Sequence, residues 1–252
     1  MSDQRYETRN AYQRIDDSTY RRIDASTTFP PMFRTSVVAL LLALVAVACG
    51  DDDTSAVTSP EYQAFREQPT ACGAERPDAA AEFQFSAPDD LGLSGTVTAV
   101  LQTSCGDITL ELDATAAPAT VNSFVFLAES GYFDGTVSHR VLSGFVIQAG
   151  DPTASGFGGP GYTLPDELPA DGFLYAAGTV AMANSGPNSG GSQFFLVLAD
   201  APLNPGFSVF GRVVAGMDVM DRIASIPMGQ SAGLEPSRPL ETLYLETVSI
   251  ER

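Results

Sequence analysis

The residues of this chain best suited to chemistry lie close together in the sequence. Arg140 and Gln148 fall on two short apolar runs on either side of a turn at Ser143-Gly144, and Phe145 opens the second run. Runs of this kind around a glycine-containing turn predict a β-hairpin. His139, the only histidine, directly precedes the arginine. An arginine, an amide and an aromatic ring on one sheet would bind an uncharged polar group with an apolar body, and a prolyl peptide bond fits that description.

The alternative for this stretch is an ordinary hairpin with one exposed arginine and one hydrogen-bonded histidine. A second stretch, from Val180 to Phe195, favours a binding site over an ordinary hairpin. A strand is predicted to end at Ala183, a loop rich in Asn, Ser, Gly and Pro follows, and a strand resumes at Gln193.

Taken together, the two stretches resemble the cyclophilin family of peptidyl-prolyl cis/trans isomerases. The family's His-Arg, Gly-Phe, Gln and Gly-Asp pattern is present from His139 to Asp151. Its Met-Ala-Asn, Gly-Pro-Asn and Gly-Ser-Gln-Phe-Phe pattern is present from Met182 to Phe195. Val209-Phe210-Gly211-Arg212-Val213 and Gly216-Met217-Asp218-Val219 match its later signature, and the resemblance runs from about Gly95 to Ile250.

The resemblance implies a prolyl isomerase in which Arg140 is the catalytic residue. It implies a proline pocket formed by Phe145, Val146, Phe194, Leu203 and Phe207. The positions that it implies for holding or bordering the substrate backbone are Gln148, Ala183, Asn184, Ser185 and Gln193, and His139 is counted with the substrate-binding residues. A catalytically idle module that binds proline-containing segments is the alternative function.

Other chemistries are poorly supported by the sequence. Gly156 to Gly161 superficially resembles a phosphate-binding glycine loop, but it contains a proline and no helix is predicted after it. Ser192 lacks the spacing of a nucleophile elbow, because Phe194 stands where the second glycine belongs. Isomerisation breaks no bond, so we expect no metal and no cofactor.

Alternating apolar residues predict about eight short strands around these motifs. The predicted strands are residues 96–103, 107–112, 139–142, 145–148, 179–183, 193–198, 208–213 and 240–248. Apolar residues at helical spacing predict two short helices, one from Pro118 to Gly131 and one over residues 216–226. This pattern favours a mainly β fold, a closed eight-stranded antiparallel β-barrel with two short α-helices.

The charge balance restricts the partners. The formal net charge is -18, and all 13 basic residues are arginine. From Cys49 onward, seven arginines face 26 acids. A negatively charged surface repels phosphate backbones, so nucleic acid is excluded as a partner. The partners that we expect are proline-containing peptides or unfolded exported proteins, and we expect a monomer.

The first fifty residues predict export. Arg34 precedes an apolar run of about a dozen residues that ends in small residues before Cys49, as in a secretory signal. The run is shorter than the ~20 residues that a membrane span takes. Ala46-Val47-Ala48-Cys49-Gly50 resembles a bacterial lipobox, in which the cysteine becomes lipidated. The alternatives are a signal peptide cut by the ordinary peptidase and an uncleaved anchor.

The predicted organisation has four parts. Residues 1–31 are a polar extension, either real or the result of a start placed too far upstream, and residues 32–48 are the signal peptide. Residues 49–94 are the lipidated cysteine and an acidic tether rich in Pro and Ala, and residues 95–252 are the isomerase domain. We expect the protein at the cell membrane, anchored by lipid alone on the extracytoplasmic face. The alternative is a secreted or periplasmic protein.

Cys72 and Cys105 remain as an even pair on an exported chain, where thiols tend to oxidise. We expect them to form a disulfide. Two cysteines without nearby histidines provide too few ligands for a metal site.

Overall fold

The computed structural model describes residues 55–231 and 235–251. The polar extension, the predicted signal peptide and the lipidation site Cys49 lie outside the described residues. None of the described helices has the length and apolar character needed to cross a membrane.

The described residues form eleven β-strands, three α-helices and one 3₁₀ turn. The strands are β1 (Thr96–Thr103), β2 (Gly106–Asp113), β3 (Thr136–Val137), β4 (Arg140–Leu142), β5 (Val146–Ala149), β6 (Thr179–Met182), β7 (Phe194–Val197), β8 (Val209–Ala215), β9 (Met228–Gln230), β10 (Pro236–Pro239) and β11 (Tyr244–Glu251). The helices are α1 (Pro60–Arg66), α2 (Pro118–Glu129) and α3 (Met217–Ala224), and the 3₁₀ turn is Ala71–Gly73.

Nine strands form one curled antiparallel sheet in the order β3-β11-β1-β2-β8-β6-β7-β5-β4, while β9 and β10 pair separately. The mainly β class is confirmed. The predicted closure into an eight-stranded barrel is not, because the hydrogen-bonded ladder ends at β3 on one side and at β4 on the other. No hydrogen-bonded pairing between these two edges is present among the described residues. Ser138 links the two sides instead, since its N–H donates to the Leu243 carbonyl and its hydroxyl donates to the Gln148 carbonyl.

The strands that carry the site are buried on both faces. The face toward α2 belongs to the main core, where Val141, Ile147, Phe194 and Leu196 pack with the α2 residues Val121 and Phe124. The opposite face forms a second cluster with Val146, Ala181, Phe195 and Val197. Side chains of successive strand residues point to opposite faces, so β5, β6 and β7 each contribute to both clusters.

The two predicted helices in the domain are present, with ends that lie within two residues of the prediction. Helix α2 begins at Pro118, whose fixed φ suits the first helical turn. Its preceding residue, Ala117, provides no side-chain cap. The carboxylate of Glu167 accepts hydrogen bonds from the N–H groups of Ala119 and Thr120 at 2.9 and 2.8 Å. A distant acid therefore satisfies donors that helix α2 would otherwise leave unpaired.

The segment predicted to be a solvated tether is folded where the structure describes it. Helix α1 begins at Pro60 after the cap Ser59 and buries Tyr62 and Phe65 completely. Residues 67–94 continue along the domain, and Phe83, Phe85, Leu91 and Leu93 pack against the main core. The prediction of a solvated tether is wrong for residues 55–70, because it rested on their polar composition and their apolar partners are far away in sequence.

A disulfide joins Cys72 in the 3₁₀ turn to Cys105 in the turn between β1 and β2. Cys105 is buried, whereas Cys72 is exposed. The 3₁₀ turn is held at the same place by hydrogen bonds from the Ala71 N–H to the Thr242 carbonyl and from the Thr242 N–H to the Pro69 carbonyl, at 2.9 and 2.8 Å. The disulfide thus closes a loop over a sequence separation of 33 residues.

Removing this disulfide should destabilise the protein. In the chain-entropy model, closing a loop of this length raises the free energy of unfolding by roughly 3–4 kcal/mol. For a domain of this size, that corresponds to roughly 6–15 °C in the thermal midpoint. Cys72→Ser and Cys105→Ser should each lower the midpoint, and the double change should add little to the larger single effect. Calorimetry on the oxidised protein measures this. Fully additive midpoint shifts, or two free thiols in non-reducing peptide mapping, would contradict the pairing.

Candidate active site

A chain of side-chain hydrogen bonds runs from Arg140 across three elements. The Arg140 Nη1 donates to the Gln148 Oε1 at 3.3 Å, and the Gln148 Nε2 donates to the Gln193 Oε1 at 3.0 Å. The Gln193 Nε2 in turn donates to the carbonyl of Gly158 at 2.9 Å. Each amide donates with its nitrogen and accepts with its oxygen, so the series has one consistent direction and holds the guanidinium in place.

Strand register explains why these side chains meet. Arg140 on β4 lies directly opposite Gln148 on β5, and Gln148 lies opposite Phe195 on β7. Phe195 lies opposite Ala181 on β6. Residues directly opposite one another in antiparallel strands share a face of the sheet. Arg140, Gln148, Phe195 and Ala181 therefore form one row across four strands.

This row forms part of a surface pocket of 270 Å³. The pocket is lined by Arg140, Phe145, Val146, Gln148, Ala183, Asn184, Phe195, Leu203 and Phe207. Its walls combine aromatic and aliphatic side chains with one guanidinium and two amides. Such a pocket suits a small apolar ring that is joined to a polar group. Eight of the residues predicted for catalysis or substrate binding are brought together here.

Phe194 is the clearest correction to the predicted site. It is 1 % exposed and packs edge-on against Phe124 and Phe133 in the main core. In the register it lies opposite Ala149, one residue away from the row that contains Gln148. Phe195 takes the place in the pocket and makes an edge-to-face contact with Phe207, with ring centroids 5.3 Å apart. The sequence prediction placed the wrong one of two adjacent phenylalanines in the pocket.

A second groove of 270 Å³ adjoins the pocket and shares Gln148, Ala183 and Asn184 with it. Gln193 and Ser185, both predicted to border the substrate, lie in this groove and not in the pocket. Its far wall is the glycine-rich stretch from Gly156 to Pro160. Sequence analysis rejected this stretch as a nucleotide loop and assigned it no other role, so its position beside the substrate residues was missed.

Residues 152–161, here named the glycine loop, fold around the carboxylate of Asp151, which is fully buried. Its Oδ1 accepts from the N–H and hydroxyl of Thr153, and its Oδ2 accepts from the N–H groups of Gly156 and Gly158 at 2.6 and 3.2 Å. A Cβ on Gly158 would lie 2.0 Å from the Asp151 Oδ1. Only glycine therefore allows the backbone to come this close to the carboxylate.

His139, predicted to bind substrate, lines neither the pocket nor the groove. It lies below the glycine loop, with its Nε2 3.9 Å from the position that a Cβ on Gly156 would take. Its Nδ1 is buried and has no hydrogen-bond partner among the described residues. Burial lowers the pKa of His139, Asp151 opposes that shift and Arg140 adds to it. The lowered pKa favours the neutral ring, which packs beneath the site.

Glu235 is a neighbour of the site that sequence analysis did not find. Its Oε2 lies 3.8 Å from the Arg140 Nη2, and two thirds of its side chain is exposed. Burial lowers the pKa of Arg140, and Glu235 opposes that shift. Nearly a hundred residues separate the two in sequence, and β10, which follows Glu235, packs near β4. The contact arises from tertiary structure alone, and no local sequence pattern signals it.

The loop that carries Leu203 and Phe207 is fixed from two sides. The Asn184 Nδ2 donates to the carbonyl of Gly206 at 2.7 Å, and the Tyr175 hydroxyl donates to the carbonyl of Phe207 at 3.0 Å. The side chain of Asn184 is thus used to hold this pocket wall. The second N–H of that amide, its Oδ1 and the Asn184 backbone are left to contact a bound peptide.

The architecture and these motifs have counterparts in known proteins. The family model of the cyclophilin type peptidyl-prolyl cis-trans isomerases matches residues 98–249. The chain belongs to the cyclophilin family. The match covers β1 to β11 and both helices of the cyclophilin domain, and it leaves out residues 55–94.

Relatives and solved structures agree with the family. A probable peptidyl-prolyl cis-trans isomerase B of Mycobacterium leprae is 40% identical over 171 residues, which are 62% of this chain and 57% of that protein. The chain thus spans little more than half of that relative's length. A peptidyl-prolyl cis-trans isomerase of Schizosaccharomyces pombe is 45% identical over 149 residues, 58% of this chain and 93% of that protein. A Cryptosporidium parvum cyclophilin type isomerase, solved in the presence of the dipeptide Ala-Pro, superimposes with a TM-score of 0.57 at 29% identity, covering 62% of this chain and 99% of that one.

The two phenylalanines of β7 provide a matched pair of substitutions. Phe194→Leu should lower the free energy of unfolding by about 1 kcal/mol or more, because it leaves a gap in the main core. It should change the affinity for a proline-containing test peptide by less than about twofold. Phe195→Leu should weaken that affinity by about three- to tenfold, since it removes pocket surface. Thermal unfolding and calorimetric titration measure the two effects. If Phe194→Leu lost more affinity than Phe195→Leu, Phe194 and not Phe195 would be the residue that contacts the peptide.

Proposed function

We propose that the protein is a peptidyl-prolyl cis/trans isomerase that uses Arg140 to stabilise the twisted amide. The observation that carries the proposal is the position of Arg140, held by Gln148 at the wall of an apolar pocket in a member of this family. The relatives named as peptidyl-prolyl isomerases and the neighbour solved with Ala-Pro support a proline-containing peptide as the substrate.

The energetic requirement is modest. Partial double-bond character gives the peptide bond a rotation barrier of ~18–20 kcal/mol, and prolyl isomerisation in solution takes tens to hundreds of seconds. Reaching milliseconds takes about four to five tenfold steps, or ~5.5–7 kcal/mol. No covalent bond is made or broken, so the protein has only to bind the twisted amide more tightly than the planar one.

Arg140 supplies the first part of this difference. In the planar amide the nitrogen lone pair is delocalised into the carbonyl, whereas in the twisted amide it is localised on the prolyl nitrogen and accepts a hydrogen bond. A guanidinium held in a fixed direction interacts weakly with the first state and strongly with the second. One charge-assisted hydrogen bond contributes ~1.5–3 kcal/mol, so Arg140 needs help.

The pocket supplies the rest by orientation. The proline ring would lie among Phe145, Phe195, Leu203 and Phe207, with its amide directed toward Arg140. The substrate backbone on the N-terminal side of the proline would extend into the groove beside Gln193. Holding the ring while the preceding carbonyl rotates converts binding energy into a lower barrier.

Removing the guanidinium should separate turnover from binding. Arg140→Ala should lower the isomerisation rate by roughly tenfold to a hundredfold, the ~1.5–3 kcal/mol of a charge-assisted bond, while ground-state peptide affinity changes by less than about threefold. Arg140→Lys should restore only part of the rate, since a compact ammonium lacks the planar fork. Exchange spectroscopy on a proline-containing peptide measures both quantities.

Arg212→Ala is the matched control for this experiment. Arg212 lies on β8 and pairs with Glu111 at 2.8 Å on an exposed surface, so its removal also deletes an arginine and an ion pair. Its effect on turnover should be within about twofold, since Arg212 lines neither the pocket nor the groove. Full activity of a folded Arg140→Ala protein would refute the catalytic assignment.

A catalytically idle module that binds proline-containing segments is the runner-up. Glu235, 3.8 Å from Arg140, is the observation in its favour, because a carboxylate there competes for the guanidinium. The two functions differ in one measurement. A wild-type protein that binds the test peptide but does not accelerate its exchange would be the idle module.

We also propose that the protein works on exported proteins and is held at the outer face of the membrane through lipid on Cys49. The support is the sequence before Cys49, in which the positive charge of Arg34 is followed by an apolar run and then by small residues. The disulfide between Cys72 and Cys105 fits an oxidising compartment outside the cytoplasm.

Cys49→Ser tests the anchor in a bacterial host. The wild-type mature protein should begin at Cys49, carry the added mass of acyl chains and partition into detergent. The variant should lose the added mass and the partitioning together, because the acylated thiol is gone. Mass spectrometry and phase separation measure this. An unchanged mature mass and unchanged partitioning would mean that Cys49 carries no lipid.

A further inference from the structure

Residues 55–94, here named the N-terminal strap, contact the glycine loop directly. The Ser59 Oγ donates to the Thr153 carbonyl at 2.8 Å. The Phe85 N–H donates to the Pro160 carbonyl, also at 2.8 Å. These bonds lie near the two ends of the glycine loop, so the strap holds it at both.

Packing strengthens both contacts. Ala154 of the glycine loop is buried in one apolar cluster with Val57, Tyr62 and Ala80 of the strap. At the other end, Gly161 has a φ of +99°, and a Cβ there would lie 2.6 Å from the Phe85 carbonyl oxygen. The two backbones thus approach more closely than any residue with a side chain at position 161 would allow.

The strap itself is firmly attached to the domain. Its middle is fixed by the Cys72–Cys105 disulfide and by the hydrogen bond from Ala71 to Thr242. Next to the glycine loop, the rings of Phe83 and Phe85 stack with centroids 5.7 Å apart, and Phe85 makes an edge-to-face contact with Phe126 on α2 at 5.0 Å. The glycine loop is therefore tied to a support that is anchored elsewhere.

On its other side, the glycine loop is the last member of the hydrogen-bond series that starts at Arg140. The Gly158 carbonyl accepts from Gln193, which accepts from Gln148, which accepts from Arg140. Displacing Gly158 removes the only hydrogen bond that the Gln193 Nε2 makes among the described residues, and the two glutamines are then free to reorient.

We propose that the N-terminal strap is a positioning element of the active site, which fixes Gln193, and through it Gln148 and Arg140, by holding the glycine loop. This inference rests on the isomerase function proposed above. It assigns a role to a segment that lies outside the match to the cyclophilin family. No residue of the strap lines the pocket or the groove, so its effect on catalysis is indirect, through the residues that it holds.

Phe85→Ala tests the proposal, with Leu91→Ala as the matched control. Both residues are half-buried strap side chains that pack on the main core. The Phe85 N–H donates to the glycine loop, whereas the Leu91 N–H donates to Asn122 on α2 at 2.8 Å. Phe85→Ala keeps that N–H but removes the ring contacts that hold its backbone in place. Well below both thermal midpoints, Phe85→Ala should lower kcat/KM by about three- to tenfold, the effect of loosening one or two hydrogen bonds. Leu91→Ala should stay within about twofold of wild type.

Hydrogen exchange gives a readout that does not depend on activity. The N–H groups of Gly156 and Gly158 donate to Asp151, so they report whether the glycine loop is held. Their exchange should accelerate by about tenfold in Phe85→Ala and remain unchanged in Leu91→Ala. Ser59→Ala, which removes the bond to Thr153 together with the cap of α1, should accelerate exchange at that end of the loop and serves if Phe85→Ala does not fold.

A double-mutant cycle identifies the route. If the strap acts through Gln193, Phe85→Ala should have little further effect on kcat/KM in a Gln193→Ala background. Fully additive effects, or equal losses of activity in Phe85→Ala and Leu91→Ala, would overturn the proposal. A wild-type protein without isomerase activity would refute the proposed function, and the exchange of the Gly156 and Gly158 amides would then decide alone whether the strap holds the glycine loop.

Discussion

The hydrogen bonds to the buried carboxylate of Asp151 are the interactions on which the geometry of the groove and the pocket depends. A fully buried charge is costly unless hydrogen bonds compensate it, and here the glycine loop supplies the donors from its own backbone and hydroxyls. The requirement to surround one carboxylate gives the loop its shape. It turns the Gly158 carbonyl toward Gln193 and places Pro160 within reach of Phe85. The hydrogen-bond series from Arg140, the groove and the strap all meet at this loop.

Much of the fold and the site could be predicted because the relevant signals are local. Strands β1 and β2 alternate between buried and exposed residues, and α2 has apolar residues at helical spacing. Strands β6 and β7 carry no such signal, since all four residues of each are buried. When both faces are covered, alternation no longer tells which residue faces the pocket. Phe194 and Phe195 could be told apart only by their cross-strand partners.

The parts that sequence reasoning missed depend on distant partners. Ser59-Pro60 is a typical helix start, yet the polar residues around it suggested a solvated tether. What makes α1 stable is the burial of Tyr62 against Ala154 and Tyr244, which are about 90 and 180 positions away. Glu235 reaches Arg140 in the same way. Closure of the barrel is not confirmed, and no local pattern in the sequence shows where a ladder of strands stops.

The position of β1 in the sheet determines when in the folding of the domain its two edges become paired. One neighbour of β1 is β2, which follows it directly in the chain. The other is β11, where Glu251 pairs with Thr98 of β1 although the two residues are about 150 positions apart. Contacts this far apart give the domain a high contact order, and such topologies fold slowly because loop closure precedes the gain from pairing. A chain emerging from a ribosome or crossing a membrane would keep one edge of β1 unpaired until its final strand arrived. Folding of this domain is therefore completed only once β11 is available, and the open edge of β1 needs protection from aggregation in the meantime.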